Sequence, residues 1–407
     1  MNKPLVKYLQ LKQLLKGIYR KVMAAEITPD SVVPNDGPPS PKKFKSCDES
    51  DGNEIIQTVT PNDIGKKRKV ALLLGFCGAG YFGMQRNRGT KTIEEDLINA
   101  LFKAGAIPEA AKEHEQKMAF QRASRTDKGV HAAAQVVSFK MFVVDDVIAK
   151  INSHLPREIR VFGHFRVTKG FNSKTACDAR TYKYVMPTYA FANKEKKNMY
   201  ILVIEATIKH VRDILAMYVG TRNFHNFTSK KAYEDDSAKR YIMQFDCGLP
   251  FVRNNLEFVT LTVKGQSFML HQIRKMIGLM IGIVRGDATI EAMEKAWEKD
   301  RVDIPRAPGL GLMLYQLHYH AYNRKIERLG IHSAIDNTIF DKEIEKFTDE
   351  CINEHIIQKE TKEFCFLKWL ESLTYHSFDD QPRSAPDQTL ENPSKCNNDS
   401  NSGKEME

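Results

Sequence analysis

Along the middle of the chain the apolar positions switch between a period near two and a period near 3.6, and the switches mark out the elements. Residues 70–77 form an apolar run of strand length that ends in Gly78-Ala79-Gly80-Tyr81-Phe82-Gly83, a strand running into a glycine-punctuated turn. Thr92 precedes the apolar set Ile93, Leu97, Ile98 and Leu101, with Glu95 three residues on; that spacing predicts a helix opened by a capping box. Residues 131–142, with Val137 and Phe139 on one side, read as a strand, 145–155 as a short helix and 159–167 as another strand. The Tyr-rich stretch 180–187 is strand-like, 208–219 helical, and 241–247 and 256–263 strands. Residues 269–284 carry the strongest helical pattern, and 339–373 is also helical. Strands come in neighbouring groups separated by single helices, which predicts an α+β fold around a mixed or mostly antiparallel sheet.

The flanks differ in kind. Residues 1–25 place Lys3, Lys7, Lys12, Lys16, Arg20 and Lys21 among Leu5, Leu9, Leu14, Leu15 and Ile18, with no acid before Glu26. This is either a basic amphipathic targeting helix of the mitochondrial kind or an ordinary N-terminal helix. Residues 28–66 are rich in Pro, Ser, Asp and Asn and read as disordered. Lys42-Lys43-Phe44-Lys45 and Lys66-Lys67-Arg68-Lys69 are candidate nuclear localisation signals; the second runs straight into a strand and equally suits phosphate contact. From Asp379 onward the sequence reads as an acidic tail.

With 61 Lys and Arg against 51 Asp and Glu, the net charge is +10. Because the tail is acidic, the remainder is more basic still. Such an excess suits a polyanionic partner, or simply a solvated basic surface. The seven cysteines contain no CxxC pair, which disfavours a zinc site or a secreted disulfide framework. No apolar run approaches the roughly 18 residues of a membrane span. Gly278 and Gly282 inside the strongest helix are expected to serve close helix packing.

The densest chemistry lies at 122–140, RASRTDKGVHAAAQVVSFK. Asp127, between Thr126 and Lys128-Gly129, falls on a turn just ahead of a strand, with Arg122, Arg125 and Lys128 around it. The carboxylate either caps that turn or projects from the sheet edge, held ionised by the cations. In HQIRKMIG, setting residues 100° apart puts Arg274 within ~60° of the centre of the stripe Leu270, Ile273, Ile277 and Ile281. A guanidinium there either reaches past the core edge into water or pairs with a carboxylate in a cleft.

These pieces resemble the tRNA pseudouridine synthase A (TruA) family. The motifs are GAGYFGMQRN (78–87), SRTDKGVHAAAQV (124–136), FNSKTACDARTYKY (171–184), GTRNFHNFT (220–228), VKGQSFMLHQIRKMIG (263–278) and APGLGL (307–312). They occur in the family's order over roughly 68–320, and their forms look most like the eukaryotic branch, tRNA pseudouridine synthase 1. Ser124 departs from the glycine of many bacterial members, a small-for-small change. The resemblance implies the pseudouridine synthase fold, with two α/β subdomains at 67–195 and 196–322 and the cleft between them. A helical extension (323–378) and the tail (379–407) would follow, after a disordered segment at 1–66. It implies Asp127 as nucleophile, Arg274 as its ion-pair partner, and Tyr182 stacking near the target base with a possible part in proton transfer. Arg125 would hold the nucleotide out of its helix or contact phosphate, and Tyr182 could equally be an ordinary strand aromatic. Arg122, Lys128, His225 and Gln272 are further candidates for contacting RNA.

The implied reaction detaches uracil from C1′ at N1, turns it and rejoins it through C5. No redox change occurs and no group enters, so no cofactor is expected. His131, His225 and His271 match no metal-ligand spacing, and no metal is expected. The expected partner is tRNA, with other structured RNAs possible; the expected state is a monomer, in the nucleus and also the mitochondrion. Two other readings compete: a non-catalytic RNA-binding or chaperone protein, and a metal-dependent nuclease using Asp127 with Asp178.

Overall fold

In the computed structural model, residues 66–87, 89–193, 205–229 and 231–379 are described. The candidate targeting segment at 1–25, the segment 28–65 with its first basic cluster, and the acidic sequence from 380 all lie outside the described residues.

Among the described residues ten strands build one sheet: β1 (Lys67–Phe76), β2 (Gln121–Arg122), β3 (His131–Phe142), β4 (Ile159–Arg166), β5 (Ala179–Pro187), β6 (Gly220–Asn223), β7 (Lys239–Cys247), β8 (Phe251–Arg253), β9 (Leu256–Gly265) and β10 (Leu312–His318). The order is β4-β1-β3-β10-β5-β9-β7-β6, with β2 on β3 and β8 on β9. All pairings are antiparallel except that of β10 with β3, so the expected mixed, mostly antiparallel sheet is what forms. β1 reads as a continuous apolar run because it is an interior strand buried on both faces. The second basic cluster merges into it, and the Lys69 ammonium is spent on the Ala119 carbonyl at 2.8 Å.

The join between the two halves of the sheet is short. β10 pairs with β3 only at Met313–His131 and Leu314–Ala132, while further along β3 the same edge is taken by β2 at Val137 and Ser138. Between these points the sheet parts, and the segment from Ala123 to Val130 runs through the opening. This strand, at the end of the APGLGL motif, has no counterpart in the sequence reading, yet it sets the cleft.

Helices α1 (Ile93–Lys103), α2 (Val147–Ser153), α3 (Glu205–Ala216) and α4 (Gln272–Arg285) flank the sheet. Thr92 caps α1 by accepting from the Glu95 amide at 3.4 Å. The Glu95 carboxylate does not reach back as a capping box requires; it holds Arg86 instead, at 2.5 Å. α4 starts at Gln272 rather than 269, because His271 sits in the left-handed region (φ 63°). Gly278 does serve close packing: a methyl there would stand 2.1 Å from the Pro305 carbonyl oxygen.

After β10 come α5 (His320–Leu329), α6 (Asp341–Phe347), α7 (Glu354–Glu363) and α8 (Cys365–Ser372). This extension covers the sheet. Phe347 lies where Gly75 of β1 leaves room for its ring, Phe340 where Gly163 of β4 does, and both rings stand edge-on to phenylalanines of β4. The buried Phe347 ring contributes about 1.5–3 kcal/mol, and the partly buried Phe340 less.

Candidate functional site

The turn that carries Asp127 is held from behind by the glycine loop after β1. Gly78 and Gly83 let the backbones touch: a methyl at Gly78 would stand 2.2 Å from the Val130 oxygen, one at Gly83 2.7 Å from the Thr126 oxygen. Gly83 also needs φ 95°, which only glycine adopts readily. The Gly129 amide bonds the Tyr81 carbonyl at 3.1 Å and the Met84 amide that of Thr126 at 3.3 Å. His131 ties the arrangement to the 307–312 loop, its Nδ1 accepting from the Gly78 amide and its Nε2 lying 3.2 Å from the Leu310 oxygen. Burial depresses this histidine to about 3, with His355 next in effect, so it stays neutral and serves as a strut.

Asp127 opens into a cleft of about 710 Å³ where the sheet parts. Arg125, Tyr182, Phe268, Leu270, His271 and Arg274 share its lining. Thus residues more than fifty and nearly ninety positions apart in the sequence reach one hollow. The Asp127 carboxylate keeps 39% of its surface accessible, with the His271 Nε2 3.9 Å from its Oδ2.

Arg274 comes to the cleft without touching Asp127 at ion-pair distance. Its Nε donates to the Ala307 carbonyl at 2.6 Å, and the chain at Gly309 lies against the guanidinium. Clamped in this way, it lines the same cleft as the carboxylate without pairing with it. Burial works most strongly against its charge, while Tyr184 and Asp127 support it and Arg306 opposes it. A guanidinium remains protonated under such pressure.

Tyr182, on β5, is buried, stands edge-on to Phe268 at 5.2 Å and shares a 2.9 Å hydrogen bond with the Ser124 hydroxyl. Burial raises its pKa, so the phenol stays neutral. Ser124 therefore does more than replace a small residue by another; its hydroxyl fixes the Tyr182 ring. Arg125 is exposed at the cleft, and no described residue takes up its guanidinium.

Three candidates are placed differently from the expectation. Arg122 lines the wall, but its guanidinium forms a two-point pair with the fully buried Glu94 carboxylate; it fastens β2 to α1 instead of meeting phosphate. Gln272 is fully buried, its side-chain oxygen accepting from the Met269 amide at 2.9 Å, so it shapes the turn before α4. His225 lies outside the cleft, 1% exposed, because the short turn at His225–Phe227 tucks its ring against Tyr233. Lys128 stands beside the cleft with its ammonium 4.3 Å over the exposed Phe82 ring.

Residue-type patterns did not reveal two organisers. Arg180 donates to the carbonyls of Gln266, Ala123 and Lys174 at 2.9, 3.0 and 3.3 Å, stapling three segments around the opening; its place in Arg180-Thr181-Tyr182 was the available signal. His271, read only against metal spacing, places its Nε2 3.9 Å from the Asp127 carboxylate. Asp178 caps α5 through the Ala321 amide at 3.0 Å, away from the cleft lining, which removes the carboxylate pair of a nuclease. Among the described residues no group of three or more His, Cys, Asp or Glu could hold a metal, and no helix is long and apolar enough to cross a membrane.

A family profile described as tRNA pseudouridine synthase matches residues 214–320. The chain is 48% identical over 334 residues to the pseudouridylate synthase 1 homolog of Mus musculus, covering 81% of this chain and 79% of that protein. The Homo sapiens protein of the same name is 50% identical over 315 residues, covering 76% and 74%. The tRNA pseudouridine synthase 1 of Yarrowia lipolytica is 36% identical over 388 residues, covering 74% and 73%.

Proposed function

Because the chain belongs to the tRNA pseudouridine synthase A family, in its eukaryotic tRNA pseudouridine synthase 1 branch, we propose that Asp127 is the nucleophile acting on a uridine turned out of its tRNA. The chain is an isomerase that converts uridine to pseudouridine in tRNA. The observation that carries the assignment of Asp127 is its half-open carboxylate in a cleft shared with Tyr182 and Arg274. An anionic carboxylate either attacks the nucleoside or balances charge as the N1–C1′ bond breaks. Both routes need the base outside the stack. Tyr182 offers the flat apolar face against which a uracil can lie. Arg274 keeps the carboxylate's surroundings positive without consuming it in a contact. Arg125, unpartnered at the cleft, holds the everted nucleotide.

The test is tritium release from tRNA carrying 5-tritiated uridine, with chain length followed on a gel and a chelator added in parallel. Isomerisation predicts release, intact RNA and no effect of the chelator. Shortened RNA, or activity lost to the chelator, contradicts it.

The same reading extends to several uridine positions and to other structured RNAs, to a monomer, and to a nuclear and mitochondrial location. Mapping pseudouridines in RNA from cells lacking the protein tests the targets, and sedimentation tests the monomer. Imaging variants without 1–25 or with Lys42–Lys45 neutralised tests the location; unchanged distribution contradicts it.

A further inference from the structure

The isomerisation leaves one proton without an owner. When C5 of the detached uracil bonds to C1′, C5 still carries its hydrogen, and that proton must leave before the ring is conjugated again. In the reading above, on which this inference rests, Asp127 is freed as C5 bonds to C1′, but it departs on the ribose face opposite the base, away from the C5 hydrogen. Tyr182 is a poor acceptor: burial holds its hydroxyl protonated, and that hydroxyl is already bonded to Ser124. Arg125, Arg180 and Arg274 at the cleft accept nothing.

From the placement of one imidazole in the cleft, we infer that His271 is the general base that takes the C5 proton. Its Nε2 is 3.9 Å from the Asp127 carboxylate, beyond hydrogen-bond reach, so the carboxylate does not use up its lone pair. The Arg306 guanidinium nitrogen is 3.1 Å from both ring nitrogens. A donor equidistant from the two straddles them and is aligned with neither lone pair. The ring is neutral because burial, then Arg306, depresses it to about 4, against an opposing effect of Asp127.

The backbone shows that this position is held deliberately. His271 has φ 63°, in the left-handed region, which a non-glycine residue occupies at a cost of about 1 kcal/mol or more. Neighbouring contacts enforce it. The Thr228 hydroxyl donates to the Leu270 carbonyl at 2.9 Å, the Met269 amide donates to the Gln272 side chain at 2.9 Å, and the Lys275 amide bonds the His271 carbonyl at 3.0 Å. A regular helix from 269 would carry the ring elsewhere.

The step balances. The C5–H electron pair becomes the C5=C6 double bond and the C6=N1 pair returns to N1, which takes a proton from water. The proton from C5 sits on His271 and then passes to water. A weak base suffices because conjugation is regained as the proton leaves.

Single-turnover kinetics on tRNA with 5-protio or 5-deuterio uridine test the assignment, using His271→Asn, which tolerates the left-handed backbone, and His271→Gly. Both variants should bind tRNA as the native protein does. Both should slow product formation by about 100-fold or more and show an enlarged C5 isotope effect, and added imidazole should restore the glycine variant. Native rates in the variants, or slow variants with an unchanged isotope effect and no imidazole rescue, overturn the inference. Asp127→Asn is run alongside: pseudouridine formed by that variant sinks the parent reading whatever His271 does.

Discussion

Replacing Gly278 by alanine sets two physical effects of opposite sign against each other. In an ordinary helix interior the change stabilises by up to about 1 kcal/mol, because glycine has the poorer propensity. Here the added methyl would stand 2.1 Å from the Pro305 carbonyl oxygen and 2.9 Å from its carbon, more than 1 Å inside ordinary contact. The obstacle is backbone, so it cannot swing aside as a side chain would. Displacing it strains the crossing by about 1–3 kcal/mol. It also loosens two hydrogen bonds one turn away, from the Ala307 amide to the Arg274 carbonyl at 3.1 Å and from the Arg274 Nε to the Ala307 carbonyl at 2.6 Å. A hydrogen bond to a charged group is worth about 1.5–3 kcal/mol. The net expectation is a loss of roughly 1–4 kcal/mol, and a lower kcat because Arg274 is no longer clamped. Gly282→Ala is the control: its methyl meets the Phe378 ring, 2.6 Å away, which can turn, so the loss should be smaller. Urea unfolding of the two variants, with single-turnover pseudouridine formation, reads both effects. A Gly278→Ala protein more stable than the native one would refute the close crossing and the account of Arg274 built on it.

Tyr182→Phe keeps the ring against Phe268 and loses the bond to Ser124, so stability should fall by no more than about 1.5 kcal/mol, with kcat retained far better than in Tyr182→Ala; equal losses in the two variants would contradict a role for the ring face. Glu94→Leu leaves the half-buried Arg122 charge unpaired and should cost about 3–5 kcal/mol, read as a lower melting temperature; a shift near zero would mean that the pair contributes little. Arg125→Ala should lower kcat while leaving the slope of log K against log salt unchanged; a slope reduced by about one unit would identify a phosphate contact instead. His131, depressed by burial to about 3 from the ordinary histidine value of 6.5, binds fewer protons folded than unfolded between those values. Stability is therefore fully present above about pH 6.5 and falls as the pH drops toward 3. Urea midpoints at pH 7 and pH 5 check this, and His131→Gln should flatten the difference.

How far the sequence reaches depends on which residues carry local information. The β3 strand at His131–Phe142 was legible at both ends because its apolar pattern and its flanking turn agree. The strongest helix was legible in type and misread in its start: Met269 and Leu270 continue the apolar spacing, and only tertiary anchors turn the backbone at His271. Leu270, counted in the buried stripe, is 55% exposed in consequence. Motif resemblance put Asp127, Tyr182 and Arg274 at one site, and the three share a cleft lining, but the ion pair it implied between Arg274 and Asp127 does not form. The direction of each neighbouring side chain was not foreseen, since Arg122 sits beside a motif and Gln272 within one, yet they turn to Glu94 and to the turn before the helix. The parting of the sheet at β10, which makes the cleft, depends on a two-residue pairing between strands remote in sequence. No local pattern encodes it.

The most direct measurement for the role of the Asp127 carboxylate is single-turnover pseudouridine formation by Asp127→Asn at saturating protein, with the tRNA dissociation constant measured on the same samples. The expected result is native-like binding and no detectable product. Product appearing at a native rate on bound tRNA would show that the chemistry belongs to another group.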